Sequence, residues 1–171
     1  MKLVALVVQV ALVLVTLTAC ADATEPDRTV SRSELEGKVA ERFPPKGSAT
    51  KVSVECDGDL AGEVDATQEC TVSVNKQRAK VRVTVTEIDG DDTVIDSVPF
   101  VPAERVAQEL LAALTDEGYH VEKVTCPREL PGIKGGKVTC TVRPNTGDGH
   151  VVATVTAVRG LRIDFDYQVA S

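Results

Sequence analysis

The chain has 171 residues and a formal net charge of −7, with 43% hydrophobic residues, 3% aromatic residues and five cysteines. That acidic balance argues against nucleic acid as a partner and against a polybasic surface for anionic lipids. With so few aromatics, valine must supply most of any core, which predicts small folded units.

The first elements concern export. Lys2 precedes an apolar run from Leu3 to Leu17 that only Gln9 and Thr16 interrupt. A charged start, an apolar centre and small residues before a break describe a secretory signal. A spanning helix needs about 20 apolar residues, and this run is shorter. It ends in Leu17-Thr18-Ala19-Cys20, which resembles a bacterial lipobox, in which a diacylglycerol joins the cysteine thiol and cleavage leaves that cysteine first. Residues 1–19 therefore read as a lipoprotein signal peptide and Cys20 as the lipidation site, carrying acyl chains of the palmitate kind. Each buried CH₂ of such a lipid contributes about 0.8 kcal/mol of membrane affinity. The expected location is the extracytoplasmic face of the cell membrane, held by membrane lipid through the acylated Cys20. Cleavage removes one charge, Lys2, and takes the chain from −7 to −8. Residues 20–29 form a polar tether whose part after Cys20 reaches roughly 30 Å at ~3.3 Å per residue, so the folded part stays close to the bilayer.

A helix is predicted next. Ser31 and Glu34 have the spacing of a capping box, with Val30 and Leu35 placed as a hydrophobic staple. Leu35, Val39 and Phe43 make one apolar stripe, and Pro44-Pro45 ends it. Alternating residues then predict strands with one buried and one wet face: Val52, Val54, Cys56; Cys70, Val72, Val74; Val81, Val83, Val85. Asp89-Gly90 suits a hairpin turn into a last strand, for which Thr93 to Val101 offers two registers. The same order then returns. Pro102 opens a helix with stripe Val106, Leu110, Leu114 and cap Gly118. Cys140, Val142, then Val151, Ala153, Val155, then Ile163, Phe165, Tyr167 and Val169 after Arg159-Gly160 complete the second set of strands. The predicted fold class is α+β, with two tandem copies of a helix followed by a four-stranded antiparallel sheet. The repeats are placed at residues 30–100 and 101–171, in semi-rigid tandem with almost no linker.

The cysteines fit this repeat. Cys56 to Cys70 and Cys126 to Cys140 each enclose thirteen residues, with Leu60/Leu130 and Gly62/Gly132 at matching places. Four cysteines allow three pairings. Equal spacing favours Cys56–Cys70 and Cys126–Cys140, one disulfide inside each repeat. In each repeat one cysteine ends a strand and the next begins another, so paired strands would bring them face to face. Export favours oxidation. The rival reading, zinc held by four cysteines, lacks the close cysteine pairs of zinc knuckles.

Few other residues suggest chemistry. His120 and His150 occupy unmatched positions in no recognisable motif and read as exposed histidines. No serine or cysteine nucleophile is marked for a triad, so no catalytic residue is assigned. Asp57, Asp59, Glu63, Asp65 and Glu69 could offer oxygens to calcium, but their spacing is not that of a known calcium loop. The second repeat has Arg128, Lys134 and Lys137 there, so a solvated loop is the reading. Asp89, Asp91 and Asp92 read as a hairpin tip. No metal and no cofactor is expected. From 30 to 100 there are nine basic and fourteen acidic residues, against eight and nine from 101 to 171, so the repeats differ in charge as well.

Cys-x₃-Leu-x-Gly-x₇-Cys, followed by Thr-Val-Thr, a turn glycine and a hydrophobic-Asp pair, resembles a small domain of unknown function, family number four-three-three-three. In the first repeat Cys56, Leu60, Gly62, Cys70, Thr84-Val85-Thr86, Gly90 and Ile95-Asp96 carry the resemblance. In the second, Cys126-Pro127, Leu130, Gly132, Cys140, Thr154-Val155-Thr156, Gly160 and Phe165-Asp166 carry it. The resemblance implies an exported protein or lipoprotein of actinobacterial type with paired cysteines, and supplies no activity. The expected function is a non-catalytic binding or interaction module in the cell envelope, meeting an envelope protein or glycan. The alternatives are a carrier of a lipid or small apolar ligand, and an envelope hydrolase using scattered acids.

Overall fold

A computed structural model describes residues 28–44, 51–144 and 149–170. The export segment, Cys20 and most of the tether lie outside these residues. The order is β1 (Thr29–Val30), α1 (Arg32–Arg42), β2 (Val52–Cys56), β3 (Leu60–Ala61), β4 (Thr67–Val74), β5 (Gln77–Asp89), β6 (Asp92–Val101), α2 (Ala103–Asp116), β7 (Val121–Thr125), β8 (Leu130–Pro131), β9 (Lys137–Pro144), β10 (Gly149–Arg159) and β11 (Arg162–Ala170). The fold is α+β, and the helix-then-strands order occurs twice.

α1 begins as its sequence directs. The Ser31 hydroxyl accepts the Glu34 N–H at 3.4 Å, and Val30 and Leu35 are both buried. A second contact holds the same end, because the Arg32 N–H donates to the Asp59 carboxylate at 2.7 Å. Helix N-termini leave backbone donors free and favour a negative charge, and Asp59 meets both needs. α2 closes on Gly118, whose φ of +89° lets the Tyr119 N–H reach the Leu114 carbonyl at 3.0 Å.

Each helix lays its stripe on one sheet face. Leu35 and Val39 meet Val72, Val81, Val83, Val85 and Ile95 in the first repeat. Val106, Leu110 and Leu114 meet Val138, Val142, Val151, Ala153 and Val155 in the second. Cys56 stands directly opposite Cys70 in the β2–β4 register. Disulfides join Cys56 to Cys70 and Cys126 to Cys140. Closing loops of this length is worth roughly 3 kcal/mol apiece. Replacing Cys126 and Cys140 together by alanine should lower the urea-unfolding free energy by about that amount; an unchanged midpoint would contradict this role for the bridge.

Both sheets are antiparallel, in the orders β2-β4-β5-β6-β8 and β11-β10-β9-β7. The first has a fifth strand that alternation could not reveal, because β8 has two residues and comes from the second repeat. A matching pair, β1 with β3, stands alone in the first repeat. In both repeats the chain entering the helix pairs with the loop between the cysteines, and Leu60 or Leu130 from that loop seals the core.

For the second repeat, the chain entering the helix is the end of β6. Phe100 and Val101 pair with Pro131 and Leu130, so one strand serves both repeats. Three more contacts fix the junction. The Gly132 N–H donates to the Pro99 carbonyl at 2.7 Å. Arg82 pairs with Glu69 at 2.8 Å and with Glu129 across the junction, and its guanidinium lies 5.1 Å from the centre of the Phe100 ring. Leu161, at the β10–β11 turn, is buried in the core of the first repeat.

Candidate functional site

The acidic residues singled out in the sequence are scattered into structural roles. Asp59 holds the start of α1, Asp57 pairs with Lys80 at 3.5 Å and Glu69 pairs with Arg82. Asp65 takes a left-handed turn at φ 69°. At the β5–β6 turn Asp91 pairs with Arg28 at 3.5 Å and Asp92 with Lys38 at 2.7 Å. Among the described residues no three His, Cys, Asp or Glu side chains are grouped to hold a metal ion.

The two histidines are exposed, as read from the sequence, but they are not unrelated. Both line one cavity of about 530 Å³ at the far end of the second repeat, together with Leu114, Tyr119, Val121, Val142, Val151 and Val169. The local sequence builds it from three sides. The Gly118 turn brings Tyr119 and His120 over the end of α2. β10 contributes Gly149, His150 and Val151, and the end of strand β11 contributes Val169. Tyr119 and Val169 are both more than half exposed, at 52% and 56%. The surface is mostly apolar, with two imidazoles and a phenol at its rim. Such a pocket binds by desolvation and uses its few polar groups for orientation.

The first repeat has a comparable end. Its equivalent end carries Phe43, Val74, Gln77 and Ala79, and there Leu161 of the second repeat comes down. Leu114 stands 71 residues after Phe43, and Gly149 stands 70 after Ala79. The same end of each unit thus has an apolar mouth. In the first, Leu161 of the hairpin tip forms one wall and a cavity of about 490 Å³ remains beside it; in the second, no described residue of the other repeat lines the cavity of about 530 Å³. Leu161 itself corresponds to Asp91, which is fully exposed. Sequence reading missed this pairing of tip and mouth. The available signal was an apolar residue directly after a turn glycine, where the other repeat has an aspartate.

A family model described as a domain of unknown function (DUF4333) matches residues 13–90 and again 96–160. No curated protein and no solved structure matches the chain.

Proposed function

The chain belongs to the DUF4333 family, whose domain it carries twice, and on that premise we propose a non-catalytic interaction module, anchored by lipid on Cys20 to the extracytoplasmic face of the cell membrane. The observation that carries the interaction reading is the pair of equivalent ends. One accepts Leu161 of the neighbouring repeat, and the other offers Leu114, Val142, Val169 and the two histidines to something outside the described chain. Apolar surface of this kind, rimmed by polar groups, marks contact sites. The partner expected is an envelope protein or glycan that reaches the mouth at the end of β11.

A photo-reactive residue at Val169 tests the interaction. It should give one predominant cross-linked species in native envelopes, while the same group at exposed Val64 of the first repeat should not. Equal labelling from both positions would remove the reading. The anchor is tested separately. Cys20→Ala should move the protein from the membrane fraction to the medium or stall it as a larger precursor; full membrane retention at mature size would refute lipidation there.

A second reading is favoured by the volume of the same cavity. At about 530 Å³ it falls within the range of small-molecule sites, and a lipid tail or small apolar ligand would suit its lining. Native mass spectrometry of gently purified protein would show the extra mass if this is the occupant.

A further inference from the structure

The two repeats differ along the cleft between the helix and the last strand. In the first repeat, two cations on α1 cover the outer edge of β6. Lys38 Nζ donates to the Asp92 carboxylate at 2.7 Å and lies 3.4 Å from the Thr93 carbonyl, and Arg42 donates to the Ile95 carbonyl at 2.6 Å. Long cationic side chains on an edge strand satisfy its carbonyls and discourage further strand pairing.

The second repeat has lost both cations. Glu109 and Ala113 stand 71 residues after Lys38 and Arg42, while Ile163 and Phe165 stand 70 after Thr93 and Ile95. The Lys38–Asp92 pair is matched by Glu109 and Arg162, so its charges are reversed. These two do not meet: Glu109 is held by Arg105 at 2.7 Å, and Arg162 turns to Asp164 at 2.8 Å. Among the described residues no side chain reaches the Ile163 or Phe165 carbonyl as Lys38 and Arg42 reach their counterparts. A cavity of about 310 Å³ opens instead, lined by Glu109, Leu110, Ala113, Ile163, Phe165 and Tyr167, with Asp164 at its edge. The Tyr167 ring lines this cavity, and its buried hydroxyl is directed to the Glu117 carboxylate just past the end of α2. That carboxylate, and then burial, push the Tyr167 pKa up to about 12.

We propose that this cleft between α2 and β11 receives an arginine or lysine side chain of a protein partner, in the place that Lys38 and Arg42 occupy in the first repeat. The aliphatic stem lies along Leu110 and Ile163. The charged head donates to the Ile163 and Phe165 carbonyls, with the rings of Phe165 and Tyr167 against it. Hydrogen bonds from a charged donor are stronger than neutral ones, and a cation over an aromatic face adds to them. Arginine fits better than lysine, because its planar fork can serve two neighbouring carbonyls at once. The site is separate from the end cavity and does not depend on what fills that cavity.

The test uses the full chain in detergent and N-acetyl-argininamide as probe, followed by amide NMR shifts. The neutral isostere N-acetyl-citrullinamide is the control. The argininamide should shift Ala113, Phe165 and Tyr167 in a saturable, salt-sensitive way, and the citrullinamide should bind at least tenfold more weakly. Glu109→Lys with Ala113→Arg restores the chemistry of the first repeat and should abolish those shifts. Ala113→Arg alone, a substitution on the helix surface, should weaken them at least tenfold and keeps the test available if the double variant does not fold. Equal response to both probes, shifts centred on the acidic 57–69 loop instead, or unchanged binding in the filled variants would overturn the proposal.

Discussion

Leu161→Asp is expected to cost about 4 kcal/mol and to undock the β10–β11 hairpin tip from the first repeat. Leu161 is only 6% exposed and belongs to the core of the first repeat, although it lies in the second. Removing a buried leucine costs about 2–5 kcal/mol, and a carboxylate cannot take its place among Phe43, Val74 and Ala79 without a partner. The local turn should survive, because the first repeat already places an aspartate after its turn glycine, at Gly90-Asp91. The loss therefore reports docking rather than hairpin folding. Urea unfolding should show a lower midpoint with the first repeat unfolding early, and limited tryptic proteolysis should cut at Arg159 or Arg162 beside the undocked β10–β11 turn. Leu161→Met, which keeps volume and polarity, should change the midpoint little. A wild-type midpoint for the aspartate variant would mean that Leu161 adds nothing to the core of the first repeat.

Much of this architecture is legible in the residues, and the parts that are not have physical reasons. The capping signals of α1, the glycine end of α2, the strand alternation and the cysteine pairing are local or periodic, so they can be read directly. The last strand of the first repeat is not. Its register turns on Thr86, which is the extra residue of a bulge between Val85 and Glu87 and donates its hydroxyl to the Val94 carbonyl at 3.3 Å. Beyond that bulge Ile95 faces Val85, and Thr93 and Ile95 turn inward. Thr156 does the same against the Asp164 carbonyl at 3.1 Å. The repeated Thr-Val-Thr thus marks a bulge, which simple period-two counting skips. Strands of two residues carry no period at all, so β1, β3 and β8 were invisible. The cavity was equally hidden, since His120 and His150 are 30 residues apart and meet only after α2, β9 and β10 are assembled. What the sequence did offer was the difference between the repeats. Positions 38 and 42 against 109 and 113, and 91 against 161, are the places where the two copies part company, and they lie at the helix–strand cleft and at the hairpin tip.

Gly132→Ala should be the most damaging small substitution, costing about 4 kcal/mol, a size that belongs to few mechanisms. The Gly132 N–H donates to the Pro99 carbonyl at 2.7 Å, so the two backbones are drawn together at the junction. A Cβ there would collide with that carbonyl oxygen and would lie 2.7 Å from the Ile163 Cδ1. The carbonyl cannot retreat easily, because Pro99 lies within the ten-residue β6 and pairs with Val81 on its other side. Gly62 is the matching residue and meets the same geometry, with a built Cβ 2.6 Å from the Arg28 carbonyl. Arg28, however, precedes a strand of only two residues and can shift by the few tenths of an ångström required. Gly62→Ala should therefore cost less than half as much as Gly132→Ala. Parallel urea titrations of the two variants, with hydrogen exchange at Phe100 and Val101, measure the difference. For Gly132→Ala those two amides should exchange early while the β4–β5 amides stay protected; for Gly62→Ala they should not. Equal costs, or a Gly132→Ala penalty below 1 kcal/mol, would show that the repeats are not joined through close backbone contact at β6 and β8.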